Sequence, residues 1–321
     1  MNAANSGAAD DSAATDRMAL TVGPVLYHWS RASLLKFYAQ VADSPADTVV
    51  LGESVCARRR ELRLVDWLAL GRELAAAGKE IVLAAQALIE SEADLRLLER
   101  QAEQQEFAVE AGDASALQIL AGRVPLVLGP HLNIYSREAL REHADLGATR
   151  WVAPVELPLD AVARVNSPQD PVHTPDGLPM VTEVWAFGRM PLAFSARCFT
   201  ARHHHLTKDD CEYHCLADPD GLLVLSTEGE SFLVLNGPQT QSAGVQSLLG
   251  NAKALRDAGV TRVRLSPCAR GFMAVLNDFE AVMNNGECAS DRAFGWTEFG
   301  VPGPLCNGYA FRQPGMAWSQ T

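Results

Sequence analysis

The chain has 321 residues, and 27 Lys and Arg against 39 Asp and Glu leave a net charge of −12, with no basic block of the kind that displaces counterions from a phosphate backbone. Nucleic acid is therefore not an expected partner, and no stretch reaches the ~18 consecutive apolar residues that a membrane span needs. Residues 1–16 carry neither a cationic start nor an apolar run, so no secretory leader is indicated and a cytoplasmic location is expected. With 48% hydrophobic residues the chain can build one large core, of a size that suits a single (β/α)-type domain with additions.

Residues 1–18 read as a disordered tail. Eight β-rich runs follow: Leu20–Leu26, Thr48–Leu51, Glu80–Ala84, Phe107–Glu110, Pro125–Leu128, Arg150–Ala153, Val181–Phe187 and Thr261–Ser266. Each is apolar enough to be covered on both faces in a parallel sheet. Between them apolar residues return every three or four positions, as a helix requires. Leu64, Trp67, Leu70 and Leu74 form one such stripe. Ser91 with Asp94 resembles a capping pair ahead of Leu95, Leu98 and Ala102. Gly78, Gly147 and Gly259 sit where helices would end before a strand. Eight such repeats predict an α/β fold, a TIM-like (β/α)8 barrel over residues 19–285; the competing architecture is a doubly wound open sheet with a small second domain. The regularity breaks over 188–247, a cysteine-bearing insertion after strand seven with a hairpin at Gly221–Leu225 and Ser231–Leu235. Residues 286–321 show no clear period and read as an irregular C-terminal segment packed on the barrel.

In such a barrel the residues just after each strand gather on one rim. That rim would collect Glu53, Cys56, Glu110, His131, Asn133, Glu156 and the run Cys198-x12-Cys211-x3-Cys215. Cys56 is remote in sequence from the other three thiols, yet its loop would lie on the same side. Four thiolates would suit a tetrahedral metal or an iron–sulfur cluster. The alternative is a set of unrelated cysteines, some buried as small hydrophobes. Zinc is open as well, with His203, His204, His205 or His214 in place of a thiolate, although a histidine run is more often solvated. The C-x3-C-x2-C of radical enzymes is absent, because position 218 is Asp218. Arg58, Arg59 and Arg60 follow Cys56, and Arg197 and Arg202 flank Cys198; they would offset an anionic cluster or orient an anionic substrate, with a solvated basic turn as the plain alternative for Arg59 and Arg60. No G-x-S-x-G, H-E-x-x-H, P-loop or G-x-G-x-x-G occurs.

Leu192–Arg202 (LAFSARCFTAR) and Lys208–Cys215 (KDDCEYHC) are similar to the cysteine motif of the UbiV-like proteins, a branch of a family first described as collagenase-like peptidases. The likeness extends to Gly23–Leu26, Leu51–Arg60 (LGESVCARRR), Pro154–Leu157, Leu235–Gly237, Leu265–Pro267 and Cys306–Tyr309. The resemblance implies an iron–sulfur subunit that works with a UbiU-like partner, as a heterodimer, in oxygen-independent ring hydroxylation for ubiquinone synthesis, rather than an active peptidase. It implies a [4Fe-4S] cluster on Cys56, Cys198, Cys211 and Cys215, with Cys268, Cys288 and Cys306 outside the ligand set. It further implies a prephenate-like oxygen donor, and a lipid-carrier protein presenting the quinone precursor. Arg58 and Arg197 are then candidate anion contacts, and Glu53 and Glu156 candidate acid/base groups. The competing reading is a peptidase-like or scaffold barrel with a structural metal site.

Overall fold

The computed structural model describes residues 17–289 and 292–319, so residues 1–16 of the expected tail lie outside the described residues. Arg17 and Met18, assigned to that tail by sequence, are docked: Arg17 pairs with Asp47 at 2.7 Å and Glu280 at 3.1 Å, and the Met18 N–H donates to Asn284 Oδ1 at 2.8 Å.

The strand and helix order is β1 (Ala19–Val22), α1 (Arg31–Ala42), β2 (Thr48–Leu51), α2 (Leu64–Ala76), β3 (Glu80–Ala84), α3 (Glu92–Glu103), β4 (Ala108–Ala111), α4 (Ala114–Leu120), β5 (Leu126–Leu128), α5 (Arg137–Asp145), β6 (Ala148–Val152), α6 (Leu159–Val165), β7 (Val181–Phe194), α7 (Phe199–His203), β8 (Leu222–Leu225), β9 (Ser231–Asn236), β10 (Gln239–Ser247), α8 (Ala252–Asp257), β11 (Arg262–Leu265), α9 (Phe272–Met283) and β12 (Leu305–Cys306). Strands β1 to β7 pair in parallel sequence, and β11 pairs in parallel with both β7 and β1, which closes an eight-stranded barrel of the TIM-like α/β type. No helix among the described residues is long and apolar enough to cross a membrane. The expected caps are present: Ser91 accepts from the Asp94 N–H at 3.3 Å, and Gly78, Gly147 and Gly259 follow α2, α5 and α8 with positive φ. Leu95 is the exception in its stripe, being 37% exposed while Leu98 and Ala102 are buried. β1 stops at Val22 rather than Leu26, because Pro24 has no N–H for the ladder.

Successive strand residues face opposite sides, which divides the core. Val109, Ala111, Val263 and Leu265 join the large cluster under the helices, while Val50, Val82, Ala84, Val127 and Val152 form a separate one. The intervening positions of β4, β7 and β11 bury charge. Glu110, placed by sequence on the rim, is instead locked to Arg264, whose Nη1 reaches Glu110 Oε1 at 2.9 Å and whose Nε reaches Glu183 Oε1 at 2.6 Å. Glu183 also lies 3.8 Å from Arg150, which pairs with Glu80, itself 3.3 Å from Arg262. Three arginines face three glutamates, so the network is neutral as a whole.

Strand β7 outruns its predicted end. Beyond Phe187 it leaves the barrel and pairs antiparallel with β10, giving an outer sheet in the order β7-β10-β9-β8. Gly188 marks the departure at φ +117°, where a Cβ would lie 2.5 Å from Ser266 Cβ, so no larger residue fits. The hairpin β8–β9 matches the expectation, but β10 was invisible in sequence because QTQSAGVQS has little β-rich character. Its amides are absorbed inside: Gln241 Nε2 donates to Gln239 Oε1 at 2.9 Å. The C-terminal segment likewise contributes β12, which pairs Leu305 and Cys306 with Val245 and Gln246.

Replacing Arg264 with Met would leave Glu110 and Glu183 buried without their shared cation. A loss of about 3–5 kcal/mol in urea denaturation is expected, with part of it restored when Glu110→Gln is added.

Candidate cysteine site at the barrel rim

Cys56 is positioned by the loop after β2. Glu53 Oε1 accepts the N–H groups of Val55 at 2.9 Å and Cys56 at 3.0 Å, and the Cys56 carbonyl accepts from Arg59 N–H at 3.0 Å. Val55 anchors the turn in a small core with Leu26, Val155, Trp185, Met190 and Cys306, against which Cys56 packs. Cys198 caps α7, its Sγ accepting from the Ala201 N–H at 3.4 Å. The start of α7 is itself tied to the β9–β10 turn: the Gly237 carbonyl accepts from Phe199 N–H at 2.9 Å, and the Gly237 N–H donates to Thr200 Oγ1 at 3.0 Å. Cys211 and Cys215 lie either side of Glu212 and Tyr213, two consecutive left-handed residues that reverse the chain. Arg58 fastens that loop through Asp209, with Nη1 at 3.0 Å from Oδ1 and Nη2 at 2.6 Å from the carbonyl; Lys208 fastens it to Glu90.

The result is one small pocket lined by Cys56, Cys198, Cys211 and Cys215, with Arg58, Arg59, Lys208 and His214 among its walls. Arg59 is 4% exposed, not the surface side chain that the alternative sequence reading allowed. It donates to the Leu26 carbonyl and to Asn236 Oδ1, both at 2.7 Å, and lies 3.8 Å from Glu53. Burial works against its charge, and Glu53, Cys215 and Cys56 outweigh that burial, so it stays a cation. Burial also pushes the Cys56 thiol up to about 11 and raises Cys215, with Arg59 opposing both shifts. The Nε atoms of Arg58 and Arg59 are buried and meet no hydrogen-bond partner among the described residues. Two cationic side chains beside four thiols suit an anion held among them. Four thiols are the donor number that an iron–sulfur cluster takes. Among the described residues no group of three or more His, Cys, Asp and Glu is gathered as a site for a single metal ion.

The other candidates are dispersed. Arg197, Arg202, His203 and His205 are exposed; His204 stacks on His214 at 4.0 Å. Arg60 turns to solvent. Glu53 serves the Cys56 turn, and burial raises its carboxyl. Glu156 accepts from the Tyr135 hydroxyl and lines a pocket with His131 and Asn133, so the two acid/base candidates line different pockets. Of the remaining cysteines, Cys268 and Cys306 are buried and Cys288 is exposed, none of them lining the four-thiol pocket. Sequence reasoning missed His28, whose Nδ1 lies 3.5 Å from Cys215 Sγ; its place just after the first strand was the available signal. It also left open the Leu235–Gly237 motif, whose Asn236 and Gly237 orient Arg59 and α7.

These features define a TIM-type barrel with a thiol pocket on an elaborated rim. The model of Peptidase family U32 matches residues 33–267, a span that includes all four cysteines, and the chain belongs to that family. Among solved structures, the chain is similar to a U32 peptidase at 12% identity over 83% of this chain and 96% of that one, with a TM-score of 0.43. It is similar to tryptophan synthase from Pyrococcus furiosus at 11% identity, covering 84% and 99%, with a TM-score of 0.44. Type I 3-dehydroquinate dehydratase from Clostridium difficile is matched at 12% identity, covering 53% and 76%, with a TM-score of 0.37.

Gly237 has φ +63°, and a Cβ there would meet Arg59 Nη2 at 2.9 Å. Gly237→Ala is expected to cost about 1–3 kcal/mol by urea denaturation and to make Cys215 more accessible to alkylation.

Burial, helped by the Arg264 charge, lowers His131 to about 4. The folded value lies below the unfolded one of about 6.5, so this contribution is complete above pH 6.5 and is lost as pH falls towards 4. Wild type should therefore lose more stability between pH 7 and pH 4.5 than His131→Asn, measured by chemical denaturation.

Proposed function

We propose that this chain is an iron–sulfur subunit of an oxygen-independent ring hydroxylase in ubiquinone synthesis, working beside a UbiU-like protein. The observation that carries the reading is the gathering of Cys56, Cys198, Cys211 and Cys215 around one pocket that Arg58 and Arg59 also line. Cys56 comes from the β2 loop and the others from the insertion after β7, so the fold brings distant thiols to one place. The pathway, the UbiU-like partner and the prephenate-like donor are supported by the motif likeness.

In this reading the four thiolates hold a [4Fe-4S] cluster, which when bound supplies one-electron transfer. The residues of the chain perform the rest. Arg59, braced by Leu26, Glu53 and Asn236, sets a permanent positive charge against the sulfurs without needing to move. Arg58 contributes a second cation while closing the Cys211 loop through Asp209. His28 stands beside Cys215, where a neutral ring N–H would donate to the thiolate; burial first, then the nearby Arg59 charge, lowers its pKa and favours that neutral form.

A second reading rests on the same histidine. Cys215, His28 and Glu61 are in file, with Sγ to Nδ1 at 3.5 Å and Nε2 to Glu61 Oε1 at 3.4 Å, an order that a thiol peptidase would use. Burial raises the Cys215 thiol, which disfavours the nucleophilic thiolate. Casein hydrolysis lost in both Cys215→Ala and His28→Asn but kept in Cys56→Ala would favour this reading.

Anaerobically purified wild type should carry iron and acid-labile sulfide, and the pool should fall at least fivefold on single Ala substitution of Cys56, Cys198, Cys211 or Cys215 but not of Cys268, Cys288 or Cys306. The function is tested by complementing a deletion strain with wild type or Cys198→Ala. Ubiquinone should fail, and an under-hydroxylated precursor accumulate, only in anaerobic growth of the variant; normal anaerobic ubiquinone would remove the cluster from the hydroxylation.

A further inference from the structure

A cavity larger than the thiol pocket opens on the outer wall of the barrel, beside the Cys56 loop. It has a volume of about 680 Å³, within the range of small-molecule sites, and opens between α2 and α3. α3 packs on α4 but stands off from α2, so the space between α2 and α3 runs down to Gly52 and Ala84 at the C-terminal ends of β2 and β3. The depth depends on the absence of bulk there: Gly52 has φ +133°, and a Cβ on it would already touch the Ala84 carbonyl at 3.0 Å. Leu64, Leu68, Trp67 and Leu97 make apolar walls, and Val65 stands 67% exposed at the lip.

The lip is cationic in a chain that is otherwise strongly acidic. Arg60 and Arg63 stand on one bank, and Arg96 and Arg100, one helical turn apart on α3, on the other. The two carboxylates in the lining are already engaged: Glu53 accepts the Val55 and Cys56 N–H groups, and Asp94 accepts the Glu90 N–H at 3.1 Å. Arg96 meets Glu92 at 3.4 Å, but both side chains are well exposed and such a pair holds little energy. Among the described residues Arg60 donates to the Ala57 carbonyl alone, at 3.5 Å. The apolar throat and cationic mouth thus complement one chemistry.

We infer that the α2–α3 groove binds a free amphipathic anion, its apolar body between Leu64, Leu68 and Leu97 and its carboxylate or phosphate head at Arg60, Arg63, Arg96 and Arg100. A hydrocarbon in the throat is held by area, and the guanidinium forks suit planar or tetrahedral oxyanions. This inference does not depend on the cluster. Arg59 and Glu53 face the groove as well as the Cys56 loop, which makes the two sites neighbours without making one require the other.

The test is titration calorimetry of the full chain with decyl phosphate, decanoate and decanol, each below its micelle threshold, at pH 7.5. Saturable one-to-one binding of both anions is expected, with decanol at least tenfold weaker. Arg96→Gln with Arg100→Gln should weaken decyl phosphate at least tenfold, and Leu68→Glu should do so with all four arginines kept. Cys198→Ala should bind as wild type does, which separates this result from the fate of the cluster proposal. No saturation with either anion, equal affinity for decanol, or affinity unchanged by the arginine substitutions would overturn the inference. So would retention on phosphatidylglycerol vesicles that the same arginine substitutions abolish, since the groove would then be a membrane-facing patch.

Discussion

One buried guanidinium organises the thiol-bearing rim of this protein. Arg59 enters from the β2 loop, donates to the carbonyl of Leu26 beyond β1 and to Asn236 at the end of β9, and lies against Glu53. A cation this deep survives only if its surroundings return what water would have supplied. Here they do so with a carbonyl, an amide oxygen and a carboxylate drawn from three separate parts of the chain. Those parts can therefore not drift independently, and Cys56, Cys198 and Cys215 ride on them. Gly237 completes the constraint, since its lack of a side chain leaves room for the Arg59 fork while its carbonyl receives the first N–H of α7.

The barrel beneath is stiffened by the same kind of interaction. Arg264 clamps Glu110 and Glu183 from strands that are not sequence neighbours, and Arg150, Arg262 and Glu80 extend the network. Apolar side chains would fill the space as well, and often with more stability. What the charged network adds is direction: each side chain has one set of partners, so strands β4, β7 and β11 are held in a single register. β7 can then continue out of the barrel as a rigid arm, and the outer sheet and cysteine loop extend from it. The site is loop-borne in sequence but strand-borne in mechanical terms.

Placing cations around thiols has an electrostatic consequence whatever they hold. Burial by itself would keep Cys56 and Cys215 protonated, and Arg59 opposes it at both. The balance in the pocket thus lies towards neutral thiols, with Arg59 drawing it towards ionisation. A polyanionic, thiolate-held centre would resolve that balance in favour of ionisation. The α2–α3 groove shows the complementary arrangement, with cations exposed at a mouth and apolar walls beneath.

The sequence alone determined the repeating plan. Short apolar runs alternating with helical stripes, and glycines past helix ends, are local signals, and the eight strands were legible because a parallel strand covered on both faces is mostly apolar, even where single positions, as in β4, β7 and β11, carry charge. The cysteine spacing and the matched motifs were also local, and they directed attention to the loops that line the thiol pocket. What the tertiary structure decided is everything set by partners far along the chain. Arg59 could read as a solvated basic turn because nothing in ARRRE reveals that Leu26 and Asn236 wait for it. Glu110 read as a rim group because its cation, Arg264, lies more than 150 residues away. β10 was hidden because its glutamines are buried through bonds to other glutamines and backbone, and β12 because two residues carry no period. Burial of charge is a property of the assembled surroundings, and a linear pattern records only whether a residue can be charged, not whether the fold will surround it with partners.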